Sequence, residues 1–204
     1  MVEPSARPKR RADAERSIAR IVAAARTLLS SDPNAKTDDI AKAAGVGRMT
    51  LYGHFATRAE LIDAALVEAL RVGDAILSSV DLSGNAREAM SRLLASSWQV
   101  VAESAALLSA AEEVLPAGRV RDLHEEPVRR MTELIRRGQE QGVFRTDMPT
   151  TWLVNLVHYI LHGAASEVRA GRLNPEEAAD VVAKSVQSVL SVPRSEHPAV
   201  NVGV

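Results

Sequence analysis

Apolar side chains recur along this chain with the period of an α-helix, and no segment shows the sustained apolar-polar alternation of a β-strand. Ile18, Ile21, Val22 and Ala25 show the pattern in the first long segment, where they would share one face of a helix. We therefore expect an all-α fold of about nine helices. The expected helices span residues 12–30, 37–44, 48–55, 57–79, 85–102, 104–114, 127–142, 149–170 and 175–192.

Capping residues mark where several of these helices begin or end. Thr37 stands at the start of the second helix and is expected to cap it. Gly45 follows that helix and suits the left-handed conformation that commonly ends one. Thr57 and Glu60 form the Thr-x-x-Glu pattern of a capping box, which predicts the start of the fourth helix. Asn174, followed by a proline and two acids, predicts the start of the last helix.

The second and third expected helices are short and are joined by the Gly-Val-Gly turn of residues 45–47. Two short helices with such a turn are typical of a helix-turn-helix, in which the first helix braces the second. Leu51 and Phe55 lie about one helical turn apart, so both should pack inward against Ile40 and Ala41. The outward side of the third helix would then carry Arg48, Met49, Thr50, Tyr52 and His54.

These outward side chains are of the types that read DNA from the major groove. Arg48 can form a bidentate pair with guanine, and Thr50 can use its methyl or its hydroxyl group. Tyr52 and His54 can bond phosphate oxygens, whereas Met49 would touch a thymine methyl group or nothing. The expected DNA-binding set also includes two residues at the starts of flanking helices, where free N–H groups favour phosphate: Thr37 and Arg58.

The stretch TDDIAKAAGVGRMTLYGHFATRAEL resembles the N-terminal signature of the tetracycline-repressor (TetR) family of bacterial transcription regulators. With the preceding helix, the resemblance covers residues 12–62. Gly47 departs from it where Ser or Thr often caps the recognition helix, and Gly53 where a larger residue is common. More weakly, RGQEQGVFRTD at 137–147 resembles the C-terminal half of many members. The resemblance implies an N-terminal helix-turn-helix domain of three helices and a C-terminal helical domain for ligand binding and dimerisation.

The helical pattern and the resemblance together divide the chain into four parts. Residues 1–11 are rich in proline and arginine and are expected to be a flexible basic arm. Residues 12–56 should form the DNA-binding domain, residues 57–192 the effector-binding and dimerisation domain, and residues 193–204 a disordered tail. The arm would either stay solvated or contact the minor groove or the phosphates of DNA.

The charge distribution agrees with this division. The chain carries a net charge of −1, but residues 1–62 carry +4 and the remainder −5. A basic first part and an acidic second part suggest two tasks divided between two modules. The chain has no cysteine, no apolar run long enough to span a membrane and no apolar stretch behind its basic N-terminus. We therefore expect a cytoplasmic protein without membrane contact.

Catalysis and metal binding find little support in the sequence. No nucleophile-base-acid set and no phosphate-binding loop is recognisable, so we expect a protein that is not an enzyme and has no cofactor. His158 and His162 lie four residues apart and could place two imidazoles on one metal ion. No third ligand accompanies them in register, so we expect that, with Asn155, they instead form a polar seam in a pocket or in a helix interface.

A ligand pocket is implied by the resemblance, and candidates for it are polar or aromatic residues on otherwise apolar helices. Each of them singly could equally be an ordinary core or surface residue. The candidate pocket residues are Trp98, Gln99, Glu103, Glu113, His124, Met131, Trp152, Asn155 and Tyr159.

These observations lead to one preferred hypothesis. The protein would be a homodimeric repressor that binds a palindromic operator in double-stranded DNA and is released by a small-molecule effector of unknown identity. The helices at 149–170 and 175–192 would pair with their symmetry mates in a four-helix bundle. Two alternatives stay open: a DNA-binding regulator without an effector, and a ligand carrier whose DNA-binding part is vestigial.

Overall fold

The computed structural model of the chain describes residues 6–193 and folds them into nine α-helices, with no β-strand in that range. The predicted all-α fold is therefore confirmed. No helix of this range is both long and apolar enough to cross a membrane. The helices are α1 (Ala6–Ser31), α2 (Thr37–Ala43), α3 (Arg48–His54), α4 (Arg58–Ser78), α5 (Ala86–Val114), α6 (Ala117–Leu123), α7 (Glu125–Glu140), α8 (Thr150–Arg169) and α9 (Pro175–Leu190).

Helix α1 begins at Ala6, six residues before the expected start. The flexible arm predicted for residues 1–11 is therefore wrong for residues 6–11, and residues 1–5 lie outside the described range. Alanine, arginine and lysine are good helix formers. Pro8 falls in the first turn, where a main-chain N–H has no partner within the helix and its loss costs little. The tail expected at 193–204 lies outside the described residues except for Pro193.

Two expectations about helix boundaries in the middle of the chain are wrong. The segments 85–102 and 104–114 form the single helix α5, which is about 43 Å long at 1.5 Å per residue. Ser104 at the expected break is accommodated because its hydroxyl donates to the carbonyl of Val100 at 2.7 Å. Helix α6 was not expected, since Pro116 and Gly118 suggest a loop, but Pro116 occupies the N-cap position.

Capping explains several of the other helix starts. The Thr57 hydroxyl accepts a hydrogen bond from the Glu60 N–H at 3.1 Å, and the Glu60 carboxylate accepts from the Ala56 N–H at 2.8 Å. The first bond confirms Thr57 as the predicted cap of α4, whereas the Glu60 carboxylate reaches the residue before the cap and not the cap N–H of a standard capping box. Asn174 caps α9, as predicted, by accepting from the Glu176 N–H at 3.0 Å.

The apolar residues form two clusters, one in the head (α1–α3) and one in the body (α4–α9). In the head, Ile21, Ile40 and Leu51 are buried together, and the first half of α4 continues the same cluster. The C-terminal part of α5 closes it with Leu107, Ala110 and Ala111. The body cluster joins the N-terminal part of α5 to α7, α8 and α9. Helices α4 and α5 therefore link the head to the body.

The stretch at 137–147 forms a tight corner after α7. Gly142 ends the helix with φ of +67°, a conformation that favours glycine. The ring of Phe144 is 1% exposed and lies against Gly138, where a Cβ atom would come within 2.0 Å of the ring. The absence of a side chain at Gly138 thus lets the ring fill the body core.

Candidate functional site

The outer surface of α3 is the first candidate site. Leu51 is 1% exposed and Phe55, which follows the helix, is 9% exposed, so both anchor α3 to the head core. Their predicted inward orientation is confirmed. His54 is half-buried. The structure brings four of the predicted DNA-binding residues together on the exposed side of α3: Arg48, Met49, Thr50 and Tyr52.

The turn between α2 and α3 fixes the angle of this surface. Gly45 has φ of +65°, which confirms the left-handed residue predicted after α2. The Val46 N–H then donates to the carbonyl of Ala41 at 3.0 Å, which closes the turn against α2. Gly47 is the N-cap residue of α3, with an ordinary φ of −69° and no side-chain cap. Helix α3 therefore begins without the side-chain cap that a serine or threonine would provide.

The Arg48 side chain contacts Asp38 and Tyr52 on the exposed surface. Its Nη1 atom is 2.9 Å from Oδ2 of Asp38 in α2, and its guanidinium is 5.5 Å from the centre of the Tyr52 ring. Because the two charged side chains are 64% and 56% exposed, the ion pair is worth at most about 1 kcal/mol. The contacts hold Arg48 in place but are weak enough to be exchanged for a base or a phosphate.

Thr37 and Arg58 have surroundings that differ from those expected. Thr37 is the first residue of α2 and Lys36 is the N-cap, without a side-chain hydrogen bond, so the predicted Thr37 cap is wrong. Arg58 donates from Nη1 to the carbonyl of Ala35 at 2.6 Å and from Nη2 to that of Pro33 at 2.9 Å. Arg58 thus ties the start of α4 to the α1–α2 loop, while its contact with DNA stays a prediction.

Met49 is 83% exposed. A methionine side chain in this position leaves most of its apolar surface in water, where burying it would be favourable. Met49 lies beside the exposed Arg48 and Thr50, so the surface offers an apolar contact next to hydrogen-bonding groups. The major-groove edge of thymine presents both a methyl group and a hydrogen-bond acceptor, which such a surface can contact together.

A cavity between α4, α5, α7 and α8 is the second candidate site. It has a volume of about 90 Å³. Its wall is mostly apolar, with Leu66, Leu93, Val101, Met131 and Leu161 contributing from the surrounding helices. Polar groups reach it from Asp74, Ser97, Ser104, His124, Arg130, His158 and His162.

Three histidines meet at one side of this cavity. The ring centres of His158 and His162 are 6.4 Å apart, and the His162 ring is also 6.4 Å from that of His124. Nδ1 of His124 lies 2.8 Å from the carbonyl oxygen of Val120, one turn earlier. Within residues 6–193 no group of three or more His, Cys, Asp or Glu side chains is arranged to hold a metal ion.

Burial sets the charge of two of these histidines. It lowers the pKa of His162 to about 4, and the proximity of His158 and His124 acts in the same direction. Burial also lowers the pKa of His158, with a smaller contribution from His124. Both imidazoles are therefore uncharged at neutral pH, when each can donate one hydrogen bond and accept another.

Only two of the nine predicted pocket residues line this cavity, His124 and Met131. On α5 the cavity side is formed by Leu93, Ser97 and Ser104, which turns Trp98 and the exposed Gln99 to other sides of the helix. The remaining predicted pocket residues also lie elsewhere, all of them exposed: Glu103, Glu113, Trp152, Asn155 and Tyr159.

The sequence-based prediction missed four polar residues of the cavity: Asp74, Ser97, Ser104 and Arg130. Arg130 and Asp74 form an ion pair between α7 and α4 at 2.6 Å. Their spacing of 56 residues gives no local signal in the sequence. The sequence allows His158 and His162 a place in a pocket or in a helix interface, and in the structure both line the cavity.

The outer side of α8 carries the aromatic residues that do not reach the cavity. Trp152 is 47% exposed and Tyr159 is 63% exposed. Their rings meet edge to face with centres 6.5 Å apart. Val181 of the adjacent α9 is 41% exposed. An aromatic and apolar surface therefore lies across the two last helices.

Comparisons with known proteins concern the head and the overall fold. Residues 21–65 match the family model described as bacterial regulatory proteins, tetR family. No curated protein matches the chain. The fold is similar to that of the TetR-like regulator LfrR from Mycobacterium smegmatis, solved in complex with proflavine, with a TM-score of 0.69 and 21% identity over 86% of this chain and 97% of that one.

Two further solved structures share the fold. A TetR-family transcriptional regulator from Agrobacterium tumefaciens has a TM-score of 0.71 and 17% identity, over 87% of this chain and 99% of that one. The ketosteroid transcriptional regulator KstR2 of Mycobacterium tuberculosis has a TM-score of 0.63 and 19% identity, over 85% and 94% of the two chains. The head thus matches the family model of bacterial regulatory proteins, tetR family, and the chain shares the fold of these solved regulators.

Proposed function

We propose that this protein is a homodimeric transcriptional repressor that binds a palindromic operator and leaves it when a small molecule enters the body cavity. The observation that carries the proposal is the exposed side of α3, where Arg48, Thr50 and Tyr52 stand together on a helix anchored by Leu51 and Phe55. A short helix held in this way can enter the major groove without losing its shape. The match of the head to the regulatory family supports the same role.

A small-molecule effector is supported by the cavity and by a relative. LfrR, which shares the fold, was solved in complex with proflavine, and this supports a small-molecule ligand for the present chain. The cavity of about 90 Å³ is smaller than the typical 300–1,000 Å³ of ligand sites. A ligand would therefore have to displace side chains that line the cavity. It would then bind the rearranged conformation more tightly than the DNA-binding one, and this difference in affinity is what release from DNA requires.

A chain of contacts connects the cavity to the head. His124 lies between α6 and α7 and lines the cavity. On α6, Arg119 donates two hydrogen bonds to the Asp63 carboxylate of α4, at 2.7 and 2.9 Å. Helix α4 in turn begins at Arg58, which binds the α1–α2 loop. Movement of α6 would thus change the position of α4 and the spacing of two heads in a dimer.

Dimerisation is supported by the outer side of α8 and α9. Trp152, Tyr159 and Val181 are large apolar side chains exposed on neighbouring helices. Exposed aromatic clusters of this kind mark protein interfaces, where aromatic residues are enriched. A two-fold axis across this surface would present two α3 helices to half-sites separated by about one turn of DNA, or by a multiple of it.

The DNA-binding part of the proposal is tested with Arg48→Ala and its matched partner Asp38→Asn. The first variant loses the side chain expected to reach guanine, so specific affinity should fall by about 1–3 kcal/mol and base preference should relax. The second frees Arg48 and removes a negative charge from the DNA-facing surface, so affinity should rise. Fluorescence anisotropy on DNA flanking the gene and on shuffled DNA, over a range of salt, measures both.

The two variants should shift affinity in opposite directions, while both melt at about the wild-type temperature because the pair is exposed. If the wild-type chain shows no salt-dependent preference for its flanking DNA over the shuffled sequence, the proposed function is wrong.

A further inference from the structure

Arg130 is the least satisfied charged group at the cavity. Its side chain is 15% exposed. Nη2 donates to Oδ1 of Asp74 at 2.6 Å and to Oγ of Ser78 at 3.1 Å, and Oε1 of Glu126 lies 4.0 Å from it. Among the described residues the buried Nη1 has no hydrogen-bond partner. A buried guanidinium nitrogen without an acceptor is costly, and such groups are usually satisfied in the state that functions.

The charges around the cavity favour an anion over a cation. Asp74 and Arg130 are the only aspartate, glutamate, lysine or arginine side chains among the lining residues of the described chain. His158 and His162 are held uncharged by burial. Neither of them therefore competes with Arg130 for an anionic ligand. Asp74 is 40% exposed at its side chain, so water screens it, whereas the guanidinium is mostly buried. The buried end of the pair is the positive one.

The size and the apolar wall limit the rest of the ligand. A cavity of about 150 Å³ lined by apolar side chains binds benzene, and this one measures about 90 Å³. Met131 is in its wall, and a methionine side chain can adopt other rotamers to make room. A single ring or a short alkyl chain therefore fits after a modest rearrangement, whereas a large polycyclic compound does not.

We propose that the cavity binds a small apolar carboxylic acid, whose carboxylate accepts hydrogen bonds from Nη1 of Arg130 while its ring or chain packs against the apolar wall. A carboxylate matches the planar guanidinium better than a hydroxyl group does, because both partners of the pair are charged. The inference rests on the proposed function only in treating this cavity as the effector site, and it concerns the chemical class of the effector.

The experiment compares three probes that share a ring and differ in their polar group: benzoate, benzyl alcohol and benzylamine. Isothermal titration calorimetry on the full chain at neutral pH measures each dissociation constant, and octanoate and cyclohexanecarboxylate extend the acids to other shapes. A charge-assisted hydrogen bond should make benzoate bind about tenfold or more tightly than the alcohol. Benzylamine should be the weakest probe.

Two variants locate this preference. Arg130→Met keeps a long apolar side chain and should abolish the difference between benzoate and benzyl alcohol. Asp74→Asn leaves Arg130 without its ion-pair partner and should increase the preference for benzoate. Since Asp74 is partly exposed, the second variant gives a result even where the first does not fold.

Equal or tighter binding of the alcohol or the amine overturns the proposal, and so does the failure of all three acids to bind. An acid preference that Arg130→Met and Asp74→Asn leave unchanged overturns it as well. DNA binding is measured separately without any probe. A chain that selects acids but ignores DNA keeps this inference and refutes the proposed function, whereas a chain that binds DNA without selecting acids does the reverse.

Discussion

Arg58 donates one hydrogen bond from each terminal nitrogen of its guanidinium to the main-chain carbonyls of Pro33 and Ala35. The sequence places this arginine at the start of a helix, where an arginine beside a DNA-binding surface is expected to reach phosphate. In the structure the same position lies next to the α1–α2 loop, and the guanidinium donates to two of its carbonyls. The position of Arg58 in the sequence thus suggests a phosphate contact, whereas its surroundings in the structure give it a role in stability.

Arg58→Ala should destabilise the chain by about 1–3 kcal/mol, because two partly buried carbonyls lose their donor. Lys42→Ala, on an exposed lysine of α2, is the matched control and should leave stability unchanged. Chemical denaturation followed by circular dichroism measures both. A chain that keeps its stability but loses about one unit of salt slope in DNA binding would show instead that Arg58 is a phosphate contact.

The role of Gly138 depends on its neighbour Phe144, whose ring occupies the space beside it. An added Cβ would lie within 2.0 Å of the Phe144 ring, so Gly138→Ala must displace a fully buried aromatic side chain and should cost about 2–3 kcal/mol. Gly53→Ala in α3, where nothing lies within 4 Å of the added atom, should instead stabilise the chain by up to about 1 kcal/mol. Thermal melts of the two variants should move in opposite directions, and a shared direction would contradict this account.

Among the elements, the starts of α4 and α9 were predictable because capping is local. Thr57 and Glu60, like Asn174, act within a few residues of their own position, and the spacing alone is informative. The continuity of α5 and the presence of α6 were not predictable in this way. Ser104 is accommodated within α5 by its hydrogen bond to the Val100 carbonyl, and Pro116 occupies the N-cap of α6 although a proline suggests a break.

The cavity side of α8 could not be predicted either. Helix α8 has apolar residues on most of its circumference, so the sequence does not show which side faces α4 and α7 and which faces solvent. The structure turns His158 and His162 inward and Trp152 and Tyr159 outward. The exposed side of α3 was easier to predict, because Leu51 in the helix and Phe55 directly after it are both buried and leave only one orientation.

The histidines at the junction of α8 with α6 and α7 predict a dependence of stability on pH. His162 has a pKa of about 4 in the folded chain and about 6.5 when unfolded. The unfolded chain therefore binds more protons between these values, so the free energy of unfolding falls as the pH falls from about 6.5 to about 4. The loss from this residue is on the order of 3 kcal/mol at pH 4.

His162→Gln removes this proton linkage and keeps a side chain that can hydrogen-bond. The difference in unfolding free energy between the variant and the wild-type chain should change with pH across that window, in favour of the variant at the acidic end. Urea denaturation at a series of pH values measures it, and the difference cancels the carboxylates that titrate in the same range. Parallel pH profiles would show that His162 is not the group responsible.

At the scale of the whole molecule, the proposed dimer predicts a sensitive position on the outer side of α8. Tyr159→Glu would place a charge where an aromatic side chain should be buried, so the dimer dissociation constant should rise about thirtyfold or more. Val128→Glu, at a 37% exposed valine of α7 away from that surface, is the control. Sedimentation equilibrium measures both, and an unchanged Tyr159→Glu dimer would place the interface elsewhere.

Helix α5 contributes Leu107, Ala110 and Ala111 to the core of the head, although these residues follow the DNA-binding helix by about fifty positions in sequence. The DNA-binding unit is thus not a portable module. A hybrid regulator made by grafting residues 1–56 onto an unrelated sensor would leave the apolar underside of α1 without its cover and would tend to aggregate. Exchange between regulators of this architecture should succeed only when α4 and the end of α5 travel with the head.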